Sequence, residues 1–282
     1  ADNDITQTLV DESHALELHE AAKAANITVK GHIKLDTGMS RAGLFAQGHD
    51  AAMKAAEAAE RMSKLSNVKV TGMYTHFCVA DTPDQDEFTA WQLENYKTVM
   101  NYLTEKGLRP ETCHTSNSAG ILYHPETQID MVREGVILYG MYPDSMPQYG
   151  PLKPVMTLKS HVSQVRDFPA GATVSYGRTF KGDKPFTTAV VLAGYADGYP
   201  RRLSNNTTVT INGVRYPQAG RICMDMCMVL ADKDKVKRGD EVTLIGGNSI
   251  SWEDAAQKVG TINYELTCLV TNRVPRVYIN ED

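Results

Sequence analysis

The sequence predicts an α/β first half followed by a mainly β second half, on three observations. Short apolar strands alternate with amphipathic helices up to about residue 146; beyond it short β-type runs follow at close spacing; and Tyr142-Pro143-Asp144-Ser145-Met146-Pro147 marks the change. The expected domains are therefore 1–146 and 147–282.

In chain order, Val29 to Leu35 reads as a strand ending at the turn Asp36-Thr37-Gly38, and Asp50 to Leu65 as an alanine-rich helix. Val68 to Thr75 is the next strand. Asp84 to Lys106 is helical, with Tyr96, Val99, Met100 and Leu103 on one face and Gly107 as the residue that ends it. A further strand ends near His114, and Val132 to Leu138 reads as another. Repeated strand-helix units imply parallel strands with crossover helices, hence an α/β barrel or a doubly wound sheet. In the second half the runs Leu158 to Val165, Thr187 to Leu192, Thr207 to Ile211, Val214 to Tyr216 and Glu241 to Ile245 read as strands. Asn212-Gly213 is a type I′ hairpin signal, because both positions tolerate positive φ. Ser251, with Asp254 three residues on, opens a helical stretch that runs through Gly260 to Val270.

Composition narrows the class of function. The chain has 282 residues, 42% hydrophobic and 22% charged, with net charge -5, enough to bury a substantial core. Lys233, Lys235, Lys237 and Arg238 form the largest basic cluster, but Asp232, Asp234 and Asp240 interleave it, so it reads as a solvated turn and no nucleic acid is expected as partner. Apolar runs stay short of the roughly 18 residues of a membrane span, and the first residues lack a signal-peptide pattern; the expectation is a cytoplasmic protein without a membrane partner. Five cysteines without a C-x-x-C pair, and eight histidines without metal-ligand spacing, predict free thiols and no metal site.

Several blocks carry chemistry. Glycine-bounded turns at Gly194-Tyr195-Ala196-Asp197-Gly198-Tyr199 and Gly220-Arg221-Ile222-Cys223-Met224-Asp225 display tyrosine, arginine and acid side chains, with Val174-Ser175-Tyr176-Gly177 upstream. The first half contributes Lys34-Leu35-Asp36-Thr37-Gly38-Met39-Ser40-Arg41, Tyr74-Thr75-His76-Phe77, His114-Thr115-Ser116-Asn117-Ser118-Ala119 and Met131-Val132-Arg133-Glu134-Gly135-Val136. Taken together and in this order, the blocks resemble bacterial alanine racemase over nearly the whole chain. The resemblance implies a (β/α)8 TIM-type barrel followed by a β domain. Such a barrel takes about 250 residues, so residues 1–146 would form an incomplete barrel short of roughly three strand-helix units. An unclosed barrel leaves strand edges unpaired, which predicts an unstable or aggregation-prone chain in isolation. The family holds pyridoxal 5′-phosphate (PLP) on a lysine within a segment like V-K-A-N-A-Y-G-H-G. This chain contains no such segment, and Lys30 and Lys34, which flank Gly31-His32, lie in a different context. The expectation is a racemase lacking its first part and inactive alone.

Roles follow from the resemblance, residue by residue. Arg133 would face the PLP pyridine nitrogen; a guanidinium stays protonated, so it keeps that nitrogen unprotonated and weakens the ring as an electron sink, favouring return of the proton to Cα. Taken alone, an arginine at a strand end is more often a surface or ion-pair residue. Tyr176 would be the acid/base group opposite the PLP lysine, and His76 would lie near the cofactor and Arg133; in isolation they read as a strand-edge aromatic and a hydrogen-bonded core histidine. Ser118, Gly135, Val136 and Tyr264 would hold the phosphate, although Ser118 and its neighbours equally suit a helix cap. Arg41 and the Met224 N–H would hold the alanine carboxylate, and Lys34 matches a lysine carbamylated in many members. Asp81, Tyr195, Arg202, Arg221 and Ile262 would line a narrow access corridor. Because Tyr176, Tyr195, Arg221 and Met224 would act in the partner's site, a homodimer is expected. A broader amino-acid racemase and a non-catalytic fragment are the competing readings.

Overall fold

The computed structural model describes residues 3–143 and 152–279, which fall into two compact units, Ala1–Gly135 and Val136–Asp282. The domain boundary expected at 146/147 lies outside the described residues.

The first unit contains, in order, β1 (Gln7–Leu9), α1 (Glu12–Ala24), β2 (Val29–Asp36), β3 (Leu44–Phe45), α2 (His49–Ser63), β4 (Val68–Tyr74), α3 (Asp86–Glu105), β5 (Thr112–His114) and α4 (Ser118–Tyr123). Its parallel sheet runs β1-β2-β4-β5, with β3 paired to β2, the barrel-type arrangement expected from strand-helix repeats. Register explains its two faces. Leu9, Ile33, Met73 and Cys113 stand opposite one another on adjacent strands and are fully buried, packed with α2 alanines and with Tyr96, Val99 and Leu103 of α3. Tyr96 donates its hydroxyl to the Met73 carbonyl at 2.9 Å, which locks α3 onto β4. Gly107, at φ 71°, ends α3 in the left-handed conformation expected of it. Two elements, β1 and α1, precede the first strand expected; Asp11 caps α1 by accepting the His14 N–H at 2.8 Å.

One expected strand is absent. Val132 to Leu138 forms no strand: it is irregular through Gly135 and then turns into a short 3-10 helix, Val136–Tyr139. Asp130 N–H donates to the Cys113 carbonyl and Arg133 N–H to that of Ser116, three residues further along both segments, and this sparse pairing does not make a ladder. The apolar Val-Ile-Leu run is β-prone, but Gly135 and the commitment of the Arg133 side chain to the carbonyls of His114, at the end of β5, and of Thr115 after it override it.

The second unit contains β6 (Leu158–Phe168), β7 (Thr173–Val174), β8 (Phe180–Lys181), β9 (Phe186–Val191), β10 (Thr208–Ile211), β11 (Val214–Pro217), β12 (Cys227–Leu230), β13 (Glu241–Ile245), α5 (Trp252–Val259) and α6 (Asn263–Leu269). Six of these strands form one antiparallel sheet, β11-β10-β13-β6-β9-β12, and the long β6 pairs with β13 over its first residues and with β9 over the rest. Asn212 and Gly213 take φ 50° and 78°, the type I′ geometry that joins β10 to β11. The last helical stretch is two helices: Gly260 closes α5 at φ 79°, and Ser251 opens it by accepting the Asp254 N–H at 2.9 Å. Among the described residues, no helix is long and apolar enough to cross a membrane.

Candidate active site

In the first unit, strand alternation puts Thr8, His32, Lys34, Gly72, Tyr74 and His114 on the sheet face opposite the aliphatic core. Polar side chains meet there at the C-terminal strand ends, where parallel α/β barrels carry their sites. Arg133 is the hub. Its Nη1 donates to His114 Nδ1 at 2.8 Å and to the His114 carbonyl at 3.3 Å, and its Nη2 donates to the carbonyls of Thr75 at 2.8 Å and Thr115 at 3.0 Å. His76 Nδ1 lies 3.5 Å from the same Nη2. Four of the five guanidinium donors are thus committed, which fixes the plane of the fork, and Nε–H is the donor these bonds do not use.

That geometry dictates tautomers down the line. Arginine can only donate, so His114 Nδ1 must accept, its Nε2 carries the proton, and that proton is donated to His32 Nδ1 at 3.0 Å. Tyr74 stacks on His114 with ring centroids 4.9 Å apart and planes 3° from parallel. Gly72 makes room for the His32 ring: a Cβ there would stand 2.4 Å from its atoms. Burial foremost, then the Arg133 charge, pushes His114 down to about 3; burial, Arg133, Lys34 and Arg41 push His76 down to about 4. Both histidines are neutral near pH 7.

Lys34 is buried, with Nζ 4.8 Å from the centre of the Tyr74 ring. Burial, followed by the charges of Arg41 and Arg133, lowers its pKa, against an opposing pull from Asp36. Arg41 is exposed beyond a loop shaped by Asp36, whose Oδ1 accepts N–H groups from Gly38 at 3.2 Å and Ser40 at 2.8 Å. Ser40 sits at φ 54° to make that turn. Lys34, Arg41 and Arg133 therefore form a cationic group suited to an anionic ligand. Ser118 starts α4 and accepts the Gly135 N–H at 2.9 Å, so these two expected phosphate contacts meet; Asn117 caps the same helix through the Gly120 N–H. Asp81 is half-buried in the turn after His76-Phe77.

The remaining residues lie in the second unit. Tyr176 is 68% exposed and is held by an unusual turn: Ser175, Gly177 and Arg178 all have positive φ, at 63°, 70° and 51°. Such conformations cost about 1–3 kcal/mol for a non-glycine residue and persist where the surroundings impose them. Ser175 Oγ donates to the Arg221 carbonyl, and a Cβ on Gly177 would stand 3.2 Å from the Arg221 guanidinium carbon. Tyr195 N–H donates to the Cys223 carbonyl and Ala196 N–H to that of Met224, each at 3.0 Å. Tyr176, Arg221, Tyr195 and Met224 are thereby displayed by three interlocked turns. Arg202 lies apart from them, donating to the Val259 carbonyl at the end of α5, while Ile262 and Tyr264 are exposed at the start of α6. Val136, buried, opens the 3-10 helix.

Sequence reasoning missed several residues that build this arrangement. His32 precedes Lys34 by two positions, so strand alternation alone puts it on the same face, and His114 heads the His-Thr-Ser-Asn-Ser-Ala block. Gln92 carries no such signal. It is fully buried mid-helix, donates to Thr37 Oγ1 and the His76 carbonyl, both at 3.3 Å, and accepts the Cys78 N–H at 3.2 Å, holding two strand ends together. Among the described residues, no group of three or more His, Cys, Asp or Glu is placed to hold a metal ion.

Family models match both halves: the alanine racemase N-terminal domain over residues 1–143 and the C-terminal domain over 155–278. The alanine racemase of Clostridium novyi is 42% identical over 98% of this chain and 72% of its own length. Among solved structures, the alanine racemase of Clostridium difficile 630 superposes with a TM-score of 0.90 at 37% identity, covering 99% of this chain and 72% of that one. That of Bartonella henselae, solved with covalently bound pyridoxal phosphate, gives 0.85 at 31% identity, covering 99% and 74%. Two matched domains, a relative above 40% identity and the shared three-dimensional arrangement make one conclusion: the chain belongs to the alanine racemase family.

Proposed function

We propose that this chain carries the substrate-binding and much of the cofactor-binding framework of a PLP-dependent racemase that interconverts L- and D-alanine in the cytoplasm and supplies D-alanine for peptidoglycan. The observation that carries the reading is Arg133: its four committed donors leave Nε–H for a ring nitrogen, beside a neutral His76 and a cationic group. The residues fit the cofactor's chemistry, with Ser118, Gly135, Val136 and Tyr264 as phosphate contacts and Arg133 as the donor to the pyridine.

When bound, PLP acidifies the Cα proton of the amino acid joined to it. Arg133 cannot give up its proton, so it would donate to the ring nitrogen and keep it unprotonated, which would favour return of a proton to Cα. Tyr176 would be the group that takes or returns that proton on one face. Arg41 and the Met224 N–H hold the carboxylate. The Lys34 amine, made less basic by burial, would add to carbon dioxide, forming an N–C bond and releasing one amine proton to solvent; the carbamate would orient Arg41, leaving Arg41 and Arg133 as the cations that face the ligand. Asp81, Tyr195, Arg202, Arg221 and Ile262 restrict access. Size exclusion of one methylene is worth only about 1–3 kcal/mol, so larger amino acids are disfavoured rather than refused. Tyr176, Tyr195, Arg221 and Met224 serve the partner's site in a homodimer. Residues 1–146 belong to the PLP barrel and 147–282 to the β domain.

We infer that this chain, whose lysines lie outside any segment like V-K-A-N-A-Y-G-H-G, is aggregation-prone and inactive alone. The test is borohydride reduction with added PLP, peptide mapping and an alanine racemisation assay, on this chain and on the full-length gene product. A single pyridoxyl-lysine and D-alanine formation in the full-length product alone supports the reading. Racemisation by this chain alone overturns its inactivity, and none by the full-length product overturns the function.

A further inference from the structure

The two turns that carry Tyr195 and Met224 touch through backbone, and a third segment grips both. Arg273 donates from Nε to Asp197 Oδ1 at 2.8 Å, inside the Gly194–Gly198 turn, and from Nη2 to Asp225 Oδ1, the residue after Met224. Asp197 is itself fixed, because its Oδ2 accepts the Gly194 N–H at 3.0 Å. Three residues on, Arg276 folds back on the end of α6, donating to the carbonyls of Val270, Thr271 and Val274. Of these, the Val270 carbonyl belongs to the cap of α6, a group that a helix terminus leaves without an intrahelical partner, and those of Thr271 and Val274 lie in the turn that follows it. Gly198 lies against the same helix end: a Cβ there would stand 2.8 Å from the Leu269 carbonyl and the Val270 backbone.

We infer that Thr271–Arg276 is a clasp, with Arg273 as a positioning residue that holds Met224 and Tyr195 at fixed separation and so sets alanine binding. Arg276 anchors the segment to α6, and Arg273 converts that anchor into a bridge between two turns that are far apart in sequence. A planar guanidinium with separate Nε and Nη2 donors reaches two carboxylates at once, which the single ammonium of lysine does not do with the same geometry. The inference deepens the substrate roles proposed for Met224 and Tyr195 and rests on them.

The experiment combines amide hydrogen exchange with steady-state racemisation on the full-length gene product, comparing wild type with Arg273→Ala, Arg273→Lys and Asp225→Asn. The amides to follow are those of Tyr195 and Ala196, which bond the Cys223 and Met224 carbonyls. Two partly exposed ion links support about a five-fold rise in exchange and in KM for Arg273→Ala, with kcat within about two-fold. Arg273→Lys, which keeps one link, and Asp225→Asn, which keeps an acceptor but loses the charge of one link, are expected to fall between. Because the links are ionic, wild type in high salt should approach Arg273→Ala. Unchanged exchange at both amides in Arg273→Ala overturns the clasp; where that variant fails to fold, unchanged exchange in Asp225→Asn overturns it instead. Faster exchange with unchanged KM overturns the inference that the clasp sets alanine binding, although Arg273 would still link the two turns. Faster exchange in a protein that does not racemise alanine supports the clasp and removes the proposed function.

Discussion

In the first unit Arg133 commits four donors to partly or wholly buried acceptors, and its histidine neighbours are forced neutral. In the second unit Tyr176 and Met224 stand 68% and 52% exposed, and what is fixed is the backbone beneath them, by positive φ angles and glycines pressed against carbonyls. The contrast teaches two ways of placing a functional side chain. A strand end inside a barrel-type sheet orients the side chain itself through buried hydrogen bonds, at the cost of shifted protonation. An exposed turn orients only the Cα–Cβ direction and leaves the side chain to be completed by whatever docks on it.

Several substitutions and one change of condition would break or sharpen that contrast, beginning with the largest effect. Arg133→Leu removes the donor that joins β4, β5 and their following loops, and strands several carbonyls and His114 Nδ1. We expect about 3–5 kcal/mol lower stability by denaturant titration, together with loss of racemisation in the full-length product. Tyr176→Phe is the matching change in the second unit, and it should abolish racemisation with stability unchanged within about 0.5 kcal/mol. Equal destabilisation by the two would erase the distinction.

Next come the glycines. A Cβ at Gly194 would stand 2.3 Å from the Cys223 and Met224 carbonyls, backbone that cannot yield, whereas at Gly72 it would meet the His32 ring, which can turn. Gly194→Ala should therefore cost about 3 kcal/mol and Gly72→Ala about 1–2 kcal/mol, the latter by breaking the His32–His114 bond. Thermal or denaturant midpoints of the two variants give the order.

Acid should affect the first unit more. His114 is buried and its folded pKa is about 3, below the roughly 6.5 of the unfolded chain, so between those values the unfolded state binds the extra proton. Its stabilising contribution is present above pH 6.5 and declines by about 1.4 kcal/mol per pH unit as pH falls towards 3. His76 acts in the same direction, down to about 4. Stability measured from pH 7 to 5 should flatten in His114→Asn; an unchanged slope would contradict the buried neutral pair. The smallest effect is Ser251→Ala, which removes the cap of α5 in the second unit and should cost about 1 kcal/mol.

Much of the fold is legible along the chain. The alternation in Val29–Asp36 and Val68–Tyr74, the helical face of Tyr96, Val99 and Leu103, and the Asn212-Gly213 turn are local regularities, and local regularities survive folding. Val132 to Leu138 departs from its pattern because a β-prone run becomes a strand only where a partner offers a ladder. Cys227–Leu230 pairs along β9 although its four residues carry too short a signal to separate from the preceding turn. The site shows the same division. Motifs mark His76, Arg133, Ser118 and Gly135, and the structure brings them into two hydrogen-bonded groups. The roles of Gln92 and Arg273 arise from partners 14 to 76 residues away in sequence.

By itself the sequence determined the kind of elements, the family resemblance and the residue types available for chemistry, since periodicity, turn preference and motif spacing are properties of neighbours along the chain. Only tertiary structure decided which donors Arg133 retains, which histidines are neutral and which segment grips the turns of Tyr195 and Met224. Those outcomes depend on burial and on distances across strands and turns, and both arise only when remote segments pack together.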